Sequence, residues 1–225
     1  MSHNIGEKGP VMIEIQNLTK VFQEQTVLQN INATFDAGLI HGVIGKNGAG
    51  KTVLLRLLCG LMHPSKGQVI VDGKQLGKDV DFAPDAGIII ETPCFLPYLS
   101  GFQNLKELAA IRNIISKEEI AEAMEQVKLD PSSRKHVGKY SLGMRQRLGI
   151  AQAIMERPRY LILDEPMNGL DTQGMEDVRE LLQKQKETGV TVILASHSME
   201  DIRLLCDTVH RIQDASLIPC TTEFS

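Results

Sequence analysis

Nowhere in the 225 residues does an apolar run approach the roughly 20 residues needed to cross a bilayer as a helix. The longest runs, Tyr160 to Leu163 and Val190 to Ala195, are strand-sized, so no part of the chain is expected to span a membrane. After Met1, Ser2, His3 and Asn4 there is no basic segment followed by an apolar one, so no secretory leader is expected and the cytoplasm is the expected compartment. Cys59, Cys94, Cys206 and Cys220 show neither CxxC spacing nor a histidine at a zinc-ligand interval, which points to free thiols. Lys/Arg-rich stretches are missing too. With 24 basic against 28 acidic side chains the formal charge is −4, which argues against a nucleic-acid partner. No segment repeats at a fixed period.

What is present is ordinary globular usage, 42% hydrophobic and 23% charged, in a length that fits one large domain with a sizeable core. Val11 to Ile15 and Ile31 to Phe35 alternate apolar with polar residues, as half-buried antiparallel strands do. Leu39 to Ile44 is a more continuous apolar strand that runs into a glycine-rich turn, and Thr52 to Leu61 follows as a Leu-rich helix. Between Pro93 and about Pro158 helical signals take over, with a capping box at Ser116 and Glu119. Tyr160 to Leu163 and Val190 to Ala195 flank a helical stretch from Met175 to Lys186, the order of a βαβ unit in a buried parallel sheet.

The turn Gly45-Lys46-Asn47-Gly48-Ala49-Gly50-Lys51-Thr52 satisfies G-x-x-x-x-G-K-[ST], the Walker A pattern. Its glycines let successive backbone N–H groups face a phosphate chain, and the helix that starts there adds its positive end. Lys51 is the candidate for the β/γ-phosphates and Thr52 for Mg²⁺. GTPases share this loop, but the Asn-Lys-x-Asp guanine reader is absent. Tyr160-Leu161-Ile162-Leu163-Asp164-Glu165 is an apolar strand ending in two carboxylates, a Walker B pattern. Strand alternation gives the adjacent acids different directions and different tasks: Asp164 for the metal, Glu165 for the attacking water.

With these two motifs in place, the rest of the series resembles that of the ABC ATPases, over essentially the whole chain. Tyr140-Ser141-Leu142-Gly143-Met144-Arg145-Gln146-Arg147 resembles the family's Leu-Ser-Gly-Gly-Gln signature, and Asn168-Gly169-Leu170-Asp171 resembles its D-loop. Ser196-His197 resembles the switch histidine, and Phe22 after Leu18-Thr19-Lys20 resembles the aromatic that stacks on adenine. Glu91 stands where the family has its Q-loop glutamine.

The resemblance implies an α/β P-loop NTPase fold with a mostly parallel sheet core, an N-terminal antiparallel β-subdomain and a helical insert. One ABC ATPase domain is expected over residues 1–225, with its nucleotide-binding core at about 11–91 and 158–215 and its helical subdomain at about 92–157. It also implies ATP and Mg²⁺, with Glu165, His197 and Lys51 catalytic and Thr52, Asp164 and Glu91 at the metal. The nucleotide would be held by Phe22, the loop residues 45–52, Glu91 and, across a head-to-tail dimer, Ser141, Gly143 and Asp171. That dimer, of identical or related cassettes, would dock on integral membrane permease subunits at the inner face of the cell membrane, without nucleic acid.

Two departures stand out. Leu142 and Met144 replace residues of the signature while Ser141 and Gly143 are retained, and Glu91 can only accept hydrogen bonds and adds negative charge near the phosphates. Ile90-Glu91 with Pro93, combined with Ser-Leu-Gly-Met-Arg-Gln-Arg-Leu-Gly, resembles the ATPases of lantibiotic-immunity and bacitracin-resistance exporters. That branch implies export of a peptide antibiotic or other amphiphile, and members with longer C-termini make a regulatory or dimer-stabilising tail an expected omission after Ser225. The alternative is a non-transport ABC ATPase of translation or DNA repair, which would carry two cassettes or a coiled-coil insertion. A module that senses ATP without hydrolysing it is disfavoured by Lys51, Asp164, Glu165 and His197. The apolar cluster Phe95, Leu96, Tyr98, Leu99 and Phe102 divides between helical core and partner-docking surface. His3, His41, His63, His136 and His210 fit no motif and read as structural.

Overall fold

The computed structural model describes residues 12–220; Val11 and His3 lie outside the described residues. Strands β1 (Ile13–Phe22) and β2 (Gln25–Phe35) pair antiparallel. Both are far longer than the alternating stretches that announce them. The alternation fails where the pairing register shifts, between Ile15 and Leu18 and again before Val21, with Asn17 and Asn30 at φ 50° and 47°. An extra residue in a strand swaps the faces of everything beyond it, so the period-2 signal ends although the strand continues.

Strand β3 (Ile40–Ile44) is buried along its whole length and leads through the glycine loop into α1 (Lys51–Cys59). The helix ends two residues before the expected Leu61. Gly60 takes the left-handed conformation at φ 80°, and a Cβ there would lie 2.4 Å from the Asp81 carbonyl oxygen. Strands β4 (Lys66–Val71) and β5 (Lys74–Gln75) complete a four-stranded sheet in the order β2-β1-β4-β5. After β6 (Ala86–Ile89) come the helices α2 (Gly101–Arg112), α3 (Lys117–Gln126) and α4 (Leu142–Ile154). The capping box of Ser116 and Glu119 opens α3, and a second, from Ser100 and Gln103, opens α2.

The remaining elements are β7 (Tyr160–Asp164), α5 (Thr172–Glu187), β8 (Thr191–Ala195), α6 (Met199–Leu205), β9 (Thr208–Gln213) and β10 (Ser216–Pro219). The four strands among them join β3 and β6 in a six-stranded sheet, β10-β9-β3-β8-β7-β6, in which β10 is antiparallel to its neighbour and the other pairings are parallel. Apolar runs such as β7 arise because both faces are covered. Tyr160 and Ile162 join a cluster with Leu54, Leu55 and Leu58 of α1, whereas Leu161 and Leu163 join one with Leu148 and Ala151 of α4 and Leu182 of α5.

The four cysteines are free. His41 is buried, with Nδ1 2.7 Å from Thr208 Oγ1 and Nε2 2.9 Å from the Asp36 carbonyl oxygen. The Phe35 ring meets both His41 and His210 edge-on, at centroid distances of 5.2 and 5.3 Å. Burial holds both imidazoles below the ordinary histidine range.

Candidate functional site

The site begins where β3 ends. Gly48 and Gly50 adopt φ 77° and 106°, and a Cβ at Gly50 would lie 2.9 Å from Val27 Cγ1. Glycine is needed there on both counts. The Ala49 N–H donates to the Lys46 carbonyl at 3.1 Å, closing the turn, and α1 starts directly behind it. Lys51 is buried and its ammonium curls back over the loop, donating to the Gly45 carbonyl at 2.9 Å. A positive charge thus stands on a glycine loop at the start of a helix, an arrangement suited to a polyphosphate.

Parity along β7 aims Asp164 at α1, since it shares the face of Tyr160 and Ile162. Thr52 Oγ1 donates to Asp164 Oδ2 at 2.5 Å. A hydroxyl and a carboxylate oxygen in contact are hard ligands of the kind Mg²⁺ takes alongside phosphate oxygens and water, so these two residues fit that ion. Glu165 then leaves the strand with a left-handed backbone, φ 50°, while its N–H donates to the Ala195 carbonyl at 2.9 Å. Its carboxylate Oε2 lies 2.7 Å from His197 Nδ1 and accepts from the His197 N–H at 3.3 Å. A carboxylate only accepts, so Nδ1 carries a proton and the other ring nitrogen faces outward from this pair.

Phe22 ends β1, partly exposed, with the Lys20 ammonium 4.8 Å from its ring centroid. It shares a cleft of about 550 Å³ with Gly50, Lys51, Thr52, Asp164 and Glu165. The outer side of the same loop, at Gly45, Lys46 and Ala49, opens with His197 onto a larger cavity of about 780 Å³. Asn47 and Gly48 face both. Arg211 and Gln213 of β9 also line the larger cavity; no motif marks them, since strand β9 returns to the loop from far along the chain.

The signature segment forms a separate place. Ser141 caps α4, its Oγ accepting from the Met144 N–H at 3.1 Å. Asp171 caps α5 in the same way, accepting from the Gly174 N–H at 2.9 Å. The two caps meet through glycines. A Cβ at Gly143 would lie 2.9 Å from the Gly169 carbonyl oxygen, and one at Gly169 would lie 2.5 Å from Leu142 Cγ. The leucine that departs from the signature therefore rests on a glycine that has room for it. Ser141, Gly143 and Asp171 line a cleft of about 460 Å³. Behind it, buried Gln146 donates to the Pro166 carbonyl at 3.0 Å, tying α4 to the turn after Glu165.

Glu91 lines none of these clefts. Its backbone is left-handed at φ 62°, and its carboxylate is 2.7 Å from Arg56 Nη2, with the side chain 64% exposed. Of the apolar cluster after it, Phe95 and Phe102 pack into the core, while Leu96 and Tyr98 are exposed.

The family model for the ABC transporter matches residues 28–168, which include the phosphate loop, the signature and Asp164. This chain belongs to the ABC transporter family. The cassette is 47% identical over 196 residues to the ABC transporter ATP-binding protein YybJ of Bacillus subtilis, covering 87% of this chain and 90% of that protein. It is 41% identical over 209 residues to the bacitracin transport ATP-binding protein BcrA of Enterococcus faecalis, covering 92% and 68%. The lantibiotic transport ATP-binding protein SrtF of Streptococcus pyogenes is 35% identical, with 92% and 89% covered. Among solved structures, an ATP-binding subunit of an ABC transporter superposes with a TM-score of 0.84 at 26% identity, over 94% of this chain and 90% of that one. A dimeric ATP-binding cassette bound to ADP and Pi superposes with a TM-score of 0.81 at 21% identity, over 91% and 96%. The cassette is accordingly an ATP-binding, ATP-hydrolysing subunit of an ABC transporter. Among the described residues no helix is long and apolar enough to cross a membrane.

Proposed function

We propose that this cassette hydrolyses Mg-ATP in a site shared with a second cassette, identical or related, and that the cycle drives export of a peptide antibiotic or similar amphiphile through integral membrane permease subunits. The observation that carries the shared site is the separation of the two clefts. The one holding Phe22, Lys51, Thr52, Asp164 and Glu165 has no residue in common with the one holding Ser141, Gly143 and Asp171. Two copies arranged head to tail bring one of each to a single nucleotide.

In that arrangement Phe22 offers its free face to the adenine, since Lys20 occupies the other. The loop amides and Lys51 hold the phosphates. Thr52 and Asp164 would hold Mg²⁺, which when bound draws charge from the β/γ-phosphate oxygens. Glu165 orients the attacking water and takes its proton, held in place by His197. For His197 to donate to a γ-phosphate as well, its ring carries both protons, one engaged by Glu165. Ser141 Oγ uses a lone pair on its own helix, so its hydroxyl proton is free to donate across the interface. Loss of the γ-phosphate removes the group that both cassettes grip, and the pair opens.

The export reading rests on the transport named for the bacitracin and lantibiotic relatives and on the resemblance of this chain's signature and Glu91 segment to that exporter branch. Leu96 and Tyr98, exposed a few residues after Glu91, give the permease an apolar surface. The cassette would sit on the inner membrane face through that partner, with no nucleic acid. The test is ATP hydrolysis against protein concentration, with light scattering, for wild type and Glu165→Gln. Activity that rises faster than linearly, with a loss of about 10²- to 10⁴-fold in the variant and an ATP-bound dimer that accumulates, supports the shared site. Linear activity from a monomer sinks it. Bacitracin or lantibiotic tolerance that does not depend on Glu165 in cells carrying the permease would remove the export reading.

A further inference from the structure

The third carboxylate near the proposed metal site is turned away from it, and one residue does the turning. Ile89 of β6 pairs with Leu163 of β7, so Glu91 and Glu165, each two residues on, leave neighbouring strands at the same level. Both have left-handed backbones, φ 62° and 50°. The backbone therefore delivers Glu91 to the edge where Asp164 and Glu165 stand. Its side chain nonetheless lies against Arg56, 2.7 Å away. Arg56 is one helical turn beyond Thr52 on α1, on the same helix face as the metal-facing hydroxyl. Consistent with that diversion, no group of three or more His, Cys, Asp or Glu side chains among the described residues could hold a metal ion by itself.

We propose that Arg56 is the positioning residue for Glu91, holding its carboxylate out of the cation and phosphate site until the site closes, so that until then Thr52 and Asp164 are, among the described residues, the side chains that face the metal. The physical need follows from the charge. A neutral amide at position 91 could approach a triphosphate at small electrostatic cost, whereas an ionised carboxylate repels it and adds a third acid beside Asp164 and Glu165. The Arg56 guanidinium offsets this by attraction, and its exposed pairing with Glu91 is weak enough to be given up when the site closes. The proposal rests on the Thr52 and Asp164 reading of the metal site.

The test uses the whole chain and two probes that need no turnover: Mn²⁺ without nucleotide, followed by electron paramagnetic resonance, and a fluorescent ATP analogue in EDTA. Arg56→Met releases Glu91 inward, so it should bind Mn²⁺ about three- to tenfold more tightly and the metal-free nucleotide more weakly by a similar factor. Arg56→Met combined with Glu91→Gln should lose both changes, and Arg56→Lys should resemble wild type. Merely disturbed packing would not strengthen metal binding. Mn²⁺ affinity that is unchanged or weaker in Arg56→Met, or equally raised when Glu91 is Gln, overturns the role of Arg56. Should Asp164→Asn bind Mn²⁺ as wild type does, the metal-site reading itself fails and the proposal goes with it; if Asp164→Asn loses Mn²⁺ while Arg56→Met changes nothing, only the role of Arg56 is lost.

Discussion

The two clefts are built on different principles. The phosphate-loop cleft gathers Phe22, Lys51 and Asp164 from distant parts of the chain, Phe22 from the end of β1, Lys51 from the start of α1 behind β3 and Asp164 from β7 of the sheet buried on both faces, with polar contacts such as Thr52 to Asp164. The signature cleft joins two helix starts. Each is capped by its own side chain, Ser141 or Asp171, and they are fitted to one another where Leu142 covers Gly169. The first half depends on the global fold, the second on local caps and one steric fit. Damage to the first should be visible in a single cassette. Damage to the second should appear only when two cassettes meet.

The sharpest way to separate them is Gly169→Val. Its side chain would collide with Leu142 and sit at φ 78°, which strains any L residue. Hydrolysis should fall by about 10- to 100-fold, while nucleotide affinity of the isolated cassette, measured by equilibrium binding, stays within about twofold. Equal losses in both would erase the distinction. Phe22→Ala should act the other way, weakening nucleotide binding by a single cassette about tenfold through loss of base stacking. Phe22→Trp should keep the affinity and supply the sole tryptophan of the chain, whose fluorescence reports the base directly.

The smallest effect is on the scaffold beneath both halves. His41 and His210 are held by burial below the ordinary value of 6.5. In the unfolded chain they take up protons as the pH falls through about 6.5, and in the folded chain they resist it. The stability they contribute is thus complete above that pH and lost as the pH drops from it toward their folded values. Tm should fall modestly between about pH 7 and pH 5.5, and less so in His210→Gln. A Tm that rises on acidification would contradict the sign.

The phosphate loop, β7 and the box at Ser116 were legible because each is a local pattern whose chemistry needs adjacent residues. The length of β1 was not, because register shifts near Asn17 and Lys20 break the alternation that announces a strand. Leu142 read as a departure from the signature; its fit against Gly169 links residues 27 positions apart, and sequence spacing carries no trace of it. The same holds for Arg56 and Glu91, which are 35 positions apart. Motifs report which groups a reaction needs. Where a substituted group turns depends on neighbours that folding supplies.

Glu165 sits in a backbone conformation that glycine would occupy without strain. The residue that best suits this bend has no side chain with which to reach a water, and the residue that can reach it bends the chain at a cost of about 1 kcal/mol. Endurance and turnover thus pull against each other at one position. On the proposed role of Glu165, a drift toward a sturdier fold would select glycine there and silence hydrolysis, leaving a cassette that keeps its phosphate loop.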